Sequence, residues 1–355
     1  MFRDQPSQML ALARSLRLEN EKLINIGGRP VIVSKSSAHS IRQSRSESIK
    51  IALAFAAIYL VWGSTYLAIR YAVETIPPLV AAGIRHTVAG GVLLAWACLR
   101  GYRPRREHWI AGIVLGALFF LVGHGTLHWA EQHVASGLAA LLIATEPMFI
   151  LVLAWATGQQ RINRISAIGL AVGTVGVAIL TGVELSAKDA SLIGLLAVLT
   201  GSLSWSAGVV ISPKLKLPTD ALARTAVPLV CGAAMLLATA GITGEFHALQ
   251  WSQVSLKSLL GLGYLITFGS IVAFTAYTWL LQRCPPTVVA THTYANPVVA
   301  VLLGWLLAGE ALTGRVGLAS IAILGAIMLI RKGERVVERP TVASAPAEAK
   351  SAQCA

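Results

Sequence analysis

The residues of this chain that could do chemistry lie inside apolar runs. Glu146 interrupts LLIATEPMFIL at residues 141–151, with Pro147 directly behind it. An acidic side chain near a bilayer centre costs about 2.5–3.5 kcal/mol to insert, so it must face protein or a watery cavity. A carboxylate in such a place can take up and release a proton during a working cycle. The alternative is a protonated acid hydrogen-bonded to a neighbouring helix. Pro147 has no N–H and disturbs the preceding turn, which predicts a helix break there and another at Pro297. A second polar group, His292, Tyr294 and Asn296, precedes Pro297. His292 and Asn296 are four apart and share a helix face, where donors and acceptors suit a zwitterionic or hydroxylated ligand. Bonding of Asn296 between helices, worth about 0.6 kcal/mol, is the competing reading.

His124 and His128 are also four apart. That spacing can chelate a metal, but no third ligand lies nearby, so no metal is expected. His124 is assigned to the outer part of a pathway, and His128 to a wetted helix end. HWAEQH at residues 128–133 approaches HxxEH but has Gln132 where a histidine is required. HExxH, GxSxG and a phosphate-cradling GxxxxGK[ST] do not occur, so neither an enzyme, a primary pump nor a bound cofactor is expected.

The elements that must position these groups follow from composition. The chain has 355 residues, 55% hydrophobic and 13% charged, far too little charge for a soluble surface. Apolar stretches of roughly 18–23 residues follow one another, each able to cross about 30 Å of hydrocarbon. They fall near residues 51–70, 79–99, 108–128, 133–156, 165–183, 191–211, 222–243, 256–280, 287–307 and 313–331. The runs do not alternate as barrel strands would, so the expected class is an all-α integral membrane protein with ten transmembrane helices.

The formal charge of +13 is distributed as a topology signal and not as a nucleic-acid footprint. Arg100, Arg103, Arg105 and Arg106 follow span 2; Arg161 and Arg164 follow span 4. Lys214 and Lys216 follow span 6, Arg283 span 8, and Arg331, Lys332, Arg335 and Arg339 span 10. The other loops carry mainly Arg70, Lys188, Lys257 and Arg315, which places both termini in the cytoplasm. Cys98, Cys231, Cys284 and Cys354 give no disulfide pattern.

Residues 1–49 stand apart. VSKSSAHSIRQSRSESIK is serine-rich and basic, and reads as a disordered extension. Met9, Leu12, Leu16 and Leu23 cluster near one helical face, which would fit a short helix on the membrane surface. The other reading is an extension without a role, translation starting later. No apolar core of signal-peptide length precedes span 1. Residues 333–355 read as a disordered, low-complexity tail.

Shifting the chain against itself by about 150 residues lays Trp129 on Trp279, Gln132 on Gln282, Ala140 on Ala290, Pro147 on Pro297 and Trp155 on Trp305. At a slightly different offset Trp205 falls on Trp62. The pattern predicts two five-helix repeats, residues 50–183 and 191–332. An odd number of crossings inverts the second copy, and inverted repeats with a midplane site characterise secondary transporters.

LVWGSTYLAIRYAVETIPPLVAAGIRHTVAGGVLLAW, GLAALLIATEPMFILVLAW and THTYANPVVAVLLGWLLAGE resemble the EamA family of the drug/metabolite transporter superfamily, in its YedA-like branch. The resemblance covers roughly residues 50–332. It implies ten helices, cytoplasmic termini and export of small metabolites, amino acids or related compounds across the bacterial inner membrane. It also implies a central cavity lined mainly by the first, third, fourth, sixth, eighth and ninth helices. Trp62, Trp205 and Tyr277 then join Glu146, Asn296, His292, Tyr294 and His124 on the substrate pathway, where rings can pack on an apolar or amine-bearing cargo. The expected partners are a small-molecule substrate and membrane lipid. A proton-coupled exporter using Glu146 leads; an uncoupled facilitator or importer is the runner-up, and a non-transporting receptor or scaffold stands behind both. Arg85 is assigned to snorkelling or a structural ion pair, and the GxxxG spacings Gly112/Gly116 and Gly169/Gly173 to close helix contacts.

Overall fold

The computed structural model describes residues 21–26, 29–184, 192–281, 283, 289 and 292–338. The surface helix expected around Met9–Leu16, the tail from residue 339, Cys284 and Cys354 lie outside them. The chain divides into two compact units, residues 1–54 and 55–355.

In the first unit, β1 (Glu21–Ile26) pairs antiparallel with β2 (Arg29–Ser34), Glu21 facing Ser34 and Ile26 facing Arg29. Helix α1 (Lys35–Ala72) begins directly afterwards. The membrane unit is helical as expected, and β1 and β2 lie ahead of it within residues 1–49. EKLINI and RPVIVS carry β-branched residues at Ile24, Ile26, Val31, Ile32 and Val33 that suit a strand pair.

The second unit is helical. It contains the rest of α1, then α2 (Pro78–Leu99), α3 (Arg106–Ala130), α4 (Ser136–Ala156) and α5 (Arg164–Glu184). After these come α6 (Leu192–Ile211), α7 (Ala221–Ile242), α8 (Leu256–Leu281), α9 (His292–Ala308) and α10 (Gly314–Glu338). Eight helices among the described residues are long and apolar enough to cross a membrane. The expected fifth and ninth spans are represented by shorter apolar helices, Arg164–Ile179 and Ala295–Ala308. Exposed Val92, Trp96, Ile113, Leu196, Ile242, Leu260 and Ile321 give the bundle an apolar exterior suited to lipid.

Local chemistry sets the helix ends. Pro78 opens α2, where a missing N–H costs nothing. Asp220 caps α7 by accepting from Ala223 N at 2.8 Å, and Ser255 caps α8 by accepting from Ser258 N at 3.1 Å. Glu245, in the connection between α7 and α8, accepts from the first-turn amides of α2, Leu79 N at 2.8 Å and Val80 N at 3.1 Å. Burial pushes its carboxyl up against the opposing pull of those two bonds.

Packing pairs α2 with α7, α4 with α9 and α5 with α10, while α3 lies against α6 and α7. The small-residue spacings work as expected. A Cβ on Gly116 would come within 2.7 Å of Gly232 N on α7, so only glycine admits that approach. Gly169 and Gly173 likewise meet α10 at Ala326.

Two helices contain π-helical stretches at corresponding places: Gly116–His124 in α3 and Leu265–Val272 in α8. Such widened turns loosen the backbone ladder and recur at functional sites. Each meets a neighbouring side chain. Ser204 of α6 donates to Leu118 O at 2.8 Å, and Trp62 of α1 donates through Nε1 to Gly269 O at 3.1 Å.

Candidate functional site

A cavity of about 480 Å³ lies between the helices, within the range of small-molecule sites. Its wall comes from α1, α3, α4, α6, α8 and α9, the set implied by the family resemblance, with single residues added by α2 and α10.

Glu146 faces this cavity, and its carboxylate makes no hydrogen bond or ion pair to any described residue. The bonded-acid alternative thus finds no partner among them. Helix α4 is interrupted at Ala144–Thr145, so Glu146 opens the second segment, Glu146–Ala156. Pro147 cannot offer an N–H to the carbonyl of Ile143, another cavity residue. The Thr145 hydroxyl donates to Leu142 O at 2.6 Å, drawing a further carbonyl out of the regular ladder.

Asn296 reaches the same cavity from α9, nine-tenths buried, and its Oδ1 meets no donor among the described residues. Here the expected break fails: α9 continues through Pro297. Ala295 stands where α4 has Thr145, so no hydroxyl competes for the backbone next to the proline.

His292 also lines the cavity. Its Nδ1 donates to Val289 O at 3.0 Å, leaving Nε2 as the acceptor end of the ring. Trp62 stands 4.8 Å from His292 between ring centroids and 5.2 Å from Tyr277, and both Trp62 and Tyr277 belong to the wall. On the α3–α6 side, His124 stacks on Trp205 at 5.4 Å with the planes 9° apart, and both rings line the cavity. Seven of the eight expected pathway residues therefore converge. The eighth, Tyr294, is in α9, but its side chain lies outside the described residues.

Three groups were not anticipated by the sequence reading. Arg85 is 3% exposed and lines the cavity. Its Nε donates to Ser270 Oγ at 3.0 Å, and it forms no ion pair among the described residues, so it neither snorkels nor bridges. Beside it in sequence, His86 is fully buried, with its Nε2 2.8 Å from His124 Nδ1. His128 is equally buried and donates from Nδ1 to His124 O at 2.7 Å, which corrects its assignment to a wetted end. Span hydropathy hides such a cluster, because RHTVAG differs from its surroundings by only two residues. Among the described residues no three His, Cys, Asp or Glu side chains converge as a metal-ligand set. The third unanticipated group is Tyr66 of α1, which shares the cavity.

One end of the bundle is tied by a polar knot. Arg70, near the end of α1, bonds Glu310, which follows α9. The same carboxylate accepts from Ser136 N at 2.8 Å, Ser136 Oγ at 2.7 Å and Gly137 N at 3.0 Å, capping α4. Glu310 thus joins α1, α4 and α9 at one point. Gly304 gives it room, since a Cβ there would strike the carboxylate. Glu131, in the turn after α3, is buried beside this knot with both carboxylate oxygens unbonded among the described residues. Burial, helped by the charge of Glu310 and opposed by Arg70, holds its carboxyl well above the usual range. Ala130, Val134, Leu138 and Ile69 pack tightly near this end. Arg331, close to the opposite end of the bundle, lines the cavity and donates to Thr293 Oγ1 at 3.4 Å.

A membrane-embedded helical bundle around a central chamber, polar at a few convergent points and aromatic elsewhere, has an architecture suited to a membrane transporter. Two stretches, residues 49–182 and 192–332, match the EamA-like transporter family, and the chain belongs to that family. The chain is 36% identical over 299 residues to the inner membrane transporter YedA of Escherichia coli (strain K12), covering 83% of this chain and 95% of that protein. It is 28% identical over 285 residues to the transporter YoaV of Bacillus subtilis (strain 168), covering 79% and 94%. A crystal structure of a protein 21% identical in sequence shares the fold at a TM-score of 0.57, over 81% of this chain and 98% of that one. The chain is a multi-pass inner membrane protein.

Proposed function

We propose that this protein is a secondary transporter that exports small metabolites, such as amino acids or related compounds, by alternating access and with proton coupling through Glu146. Two inverted five-helix units, residues 50–183 and 191–332, enclose the site, and both termini are cytoplasmic. The observation that carries this reading is that Glu146 and Asn296, at equivalent places in the two halves, face one chamber. The paired packing of α2 with α7, α4 with α9 and α5 with α10 supports a two-fold relation between the halves. So do the matched π-helical stretches in α3 and α8. The Arg70–Glu310 knot closes one end, so this conformation opens toward the Arg331 end. Opening the other side requires α9 to part from α1 and α4, breaking that knot while a new closure forms around Arg331.

In the cycle, an empty Glu146 takes a proton from one side and releases it on the other as the chamber alternates. In the opposite half-cycle, with Glu146 unprotonated, cargo occupies the space between Trp62, Tyr277, His292 and Asn296 and is carried out. The test is uptake into proteoliposomes across a panel of amino acids, purine-related compounds and cationic drugs, with and without an imposed pH difference. Stimulation by the gradient that disappears in Glu146→Gln is expected. Transport with unchanged rate and pH dependence in that variant would remove the acid from the mechanism and leave an uncoupled facilitator.

A further inference from the structure

Building on the transport reading, we propose that Arg85 is an anion-recognition residue of the chamber, and that the cargo carries a carboxylate which sits on its guanidinium. Arg85 is almost fully buried in α2, some seven residues into the helix, and lines the cavity. One face of its fork is anchored, Nε to Ser270 Oγ at 3.0 Å, in the π-helical part of α8. Its Nη1 is buried and meets no acceptor among the described residues. The ion pairs among those residues are Arg70–Glu310, Lys216–Glu107 and Lys257–Glu74, none of which involves Arg85. The titratable side chains on which its charge acts include His86, His124 and His128, which carry no negative charge in either protonation state.

A guanidinium stays protonated under all ordinary conditions, so its charge has to be answered by something else. Glu146 faces the same cavity but forms no ion pair with Arg85, so an anion entering the cavity supplies the counter-charge. The fork geometry selects a planar carboxylate, which can accept two parallel N–H bonds. A single carboxylate is favoured over a polyanion, because Glu146 faces the same chamber and Arg331 already holds Thr293. Trp62, Phe274 and Tyr277 then receive the apolar body. The site therefore takes a small monocarboxylate with an apolar or aromatic substituent, with or without a further amine.

The experiment uses the full chain in detergent and follows tryptophan fluorescence, since Trp62 and Trp205 line the chamber. Phenylacetate, phenylacetamide and phenethylamine are titrated in parallel as acid, neutral isostere and cation. Phenylacetate is expected to bind at least tenfold more tightly than the amide. Arg85→Gln should abolish that preference, and Arg85→Lys should restore part of it. Ser270→Ala, which frees Nε, should reduce the preference severalfold and serves as the second variant if Arg85→Gln fails to fold. Equal or absent binding of acid and amide by the unaltered protein overturns the proposal, as does a preference that survives Arg85→Gln. A site that binds phenylacetate through Arg85 in a protein that moves nothing across proteoliposomes would defeat the transport reading alone. Glu146-dependent flux confined to cargo without a carboxylate would defeat the Arg85 assignment alone.

Discussion

Helices α4 and α9 carry the same signal, a polar residue followed by proline about 150 positions apart, yet they fold differently around it. In α4 the helix stops at Ala144–Thr145 and restarts with Glu146; in α9 it runs straight past Asn296 and Pro297. Both prolines remove one backbone donor, so proline alone does not explain the break. The difference lies one residue earlier: Thr145 turns its hydroxyl onto Leu142 O, and Ala295 has none to turn. The broken helix carries the acid; the continuous one carries the amide and ends at the Glu310 cap. Of these two helices, only α4 has the irregular backbone and the titratable group.

Replacing the acid tests that asymmetry most severely. Glu146→Gln should reduce pH-driven uptake by at least tenfold, while uptake driven by the cargo gradient alone falls much less. Next comes the backbone. Pro147→Ala, which lets α4 close its ladder, should cost about tenfold in transport, on the scale of 1.4 kcal/mol, whereas Pro297→Ala should stay within twofold. Equal effects from the two alanines would erase the contrast between the helices.

The knot that ties both helices together gives a stability readout. Glu310→Gln removes charge-assisted bonds to Arg70 and to the α4 amides, and should lower stability by about 1–3 kcal/mol, seen as a drop in the melting temperature in detergent. Glu131 adds a pH signature there. Its carboxyl is held above the usual range in the folded protein, so the unfolded chain loses its proton first as pH rises. Stability should be greatest below the ordinary carboxylate range and fall as pH climbs toward the raised value. In Glu131→Gln the melting temperature should vary less between pH 5 and 8. Asn296→Ala should cost only about threefold in uptake, the scale of one hydrogen bond to cargo worth roughly 0.6 kcal/mol. A loss as large as that of Glu146→Gln would make the amide an equal partner.

Several features could be read directly from the residues. Apolar runs long enough to span a bilayer announce themselves, because unpaired backbone groups cannot survive in hydrocarbon and the chain must supply a helix each time. Glu146 was legible for the same reason, as a charge whose insertion cost demands a wet or polar neighbour. The 150-residue echo gave Pro297 and Asn296 their significance; Trp155 and Trp305, which the same shift superposes, are both exposed. The roles of Arg85 and His86 were not legible. Position along a helix gives depth in the membrane but not azimuth, and Arg85 could as easily have reached the headgroups as the chamber. The hairpin β1–β2 was missed because serine-rich, basic surroundings masked two short β-branched segments.

Taken alone, the order of residues determined a helical membrane chain, the positions that echo one another at a shift of about 150 and the few polar groups whose burial needs an explanation, since hydropathy and spacing are local properties. Only the tertiary arrangement decided which of those groups share a chamber, that Arg85 lacks an ion pair while Arg70 has one, and that one proline marks a break and the other does not. Those outcomes depend on helix rotation and on contacts between residues up to 240 positions apart, as in Arg70 with Glu310, and no local pattern encodes them.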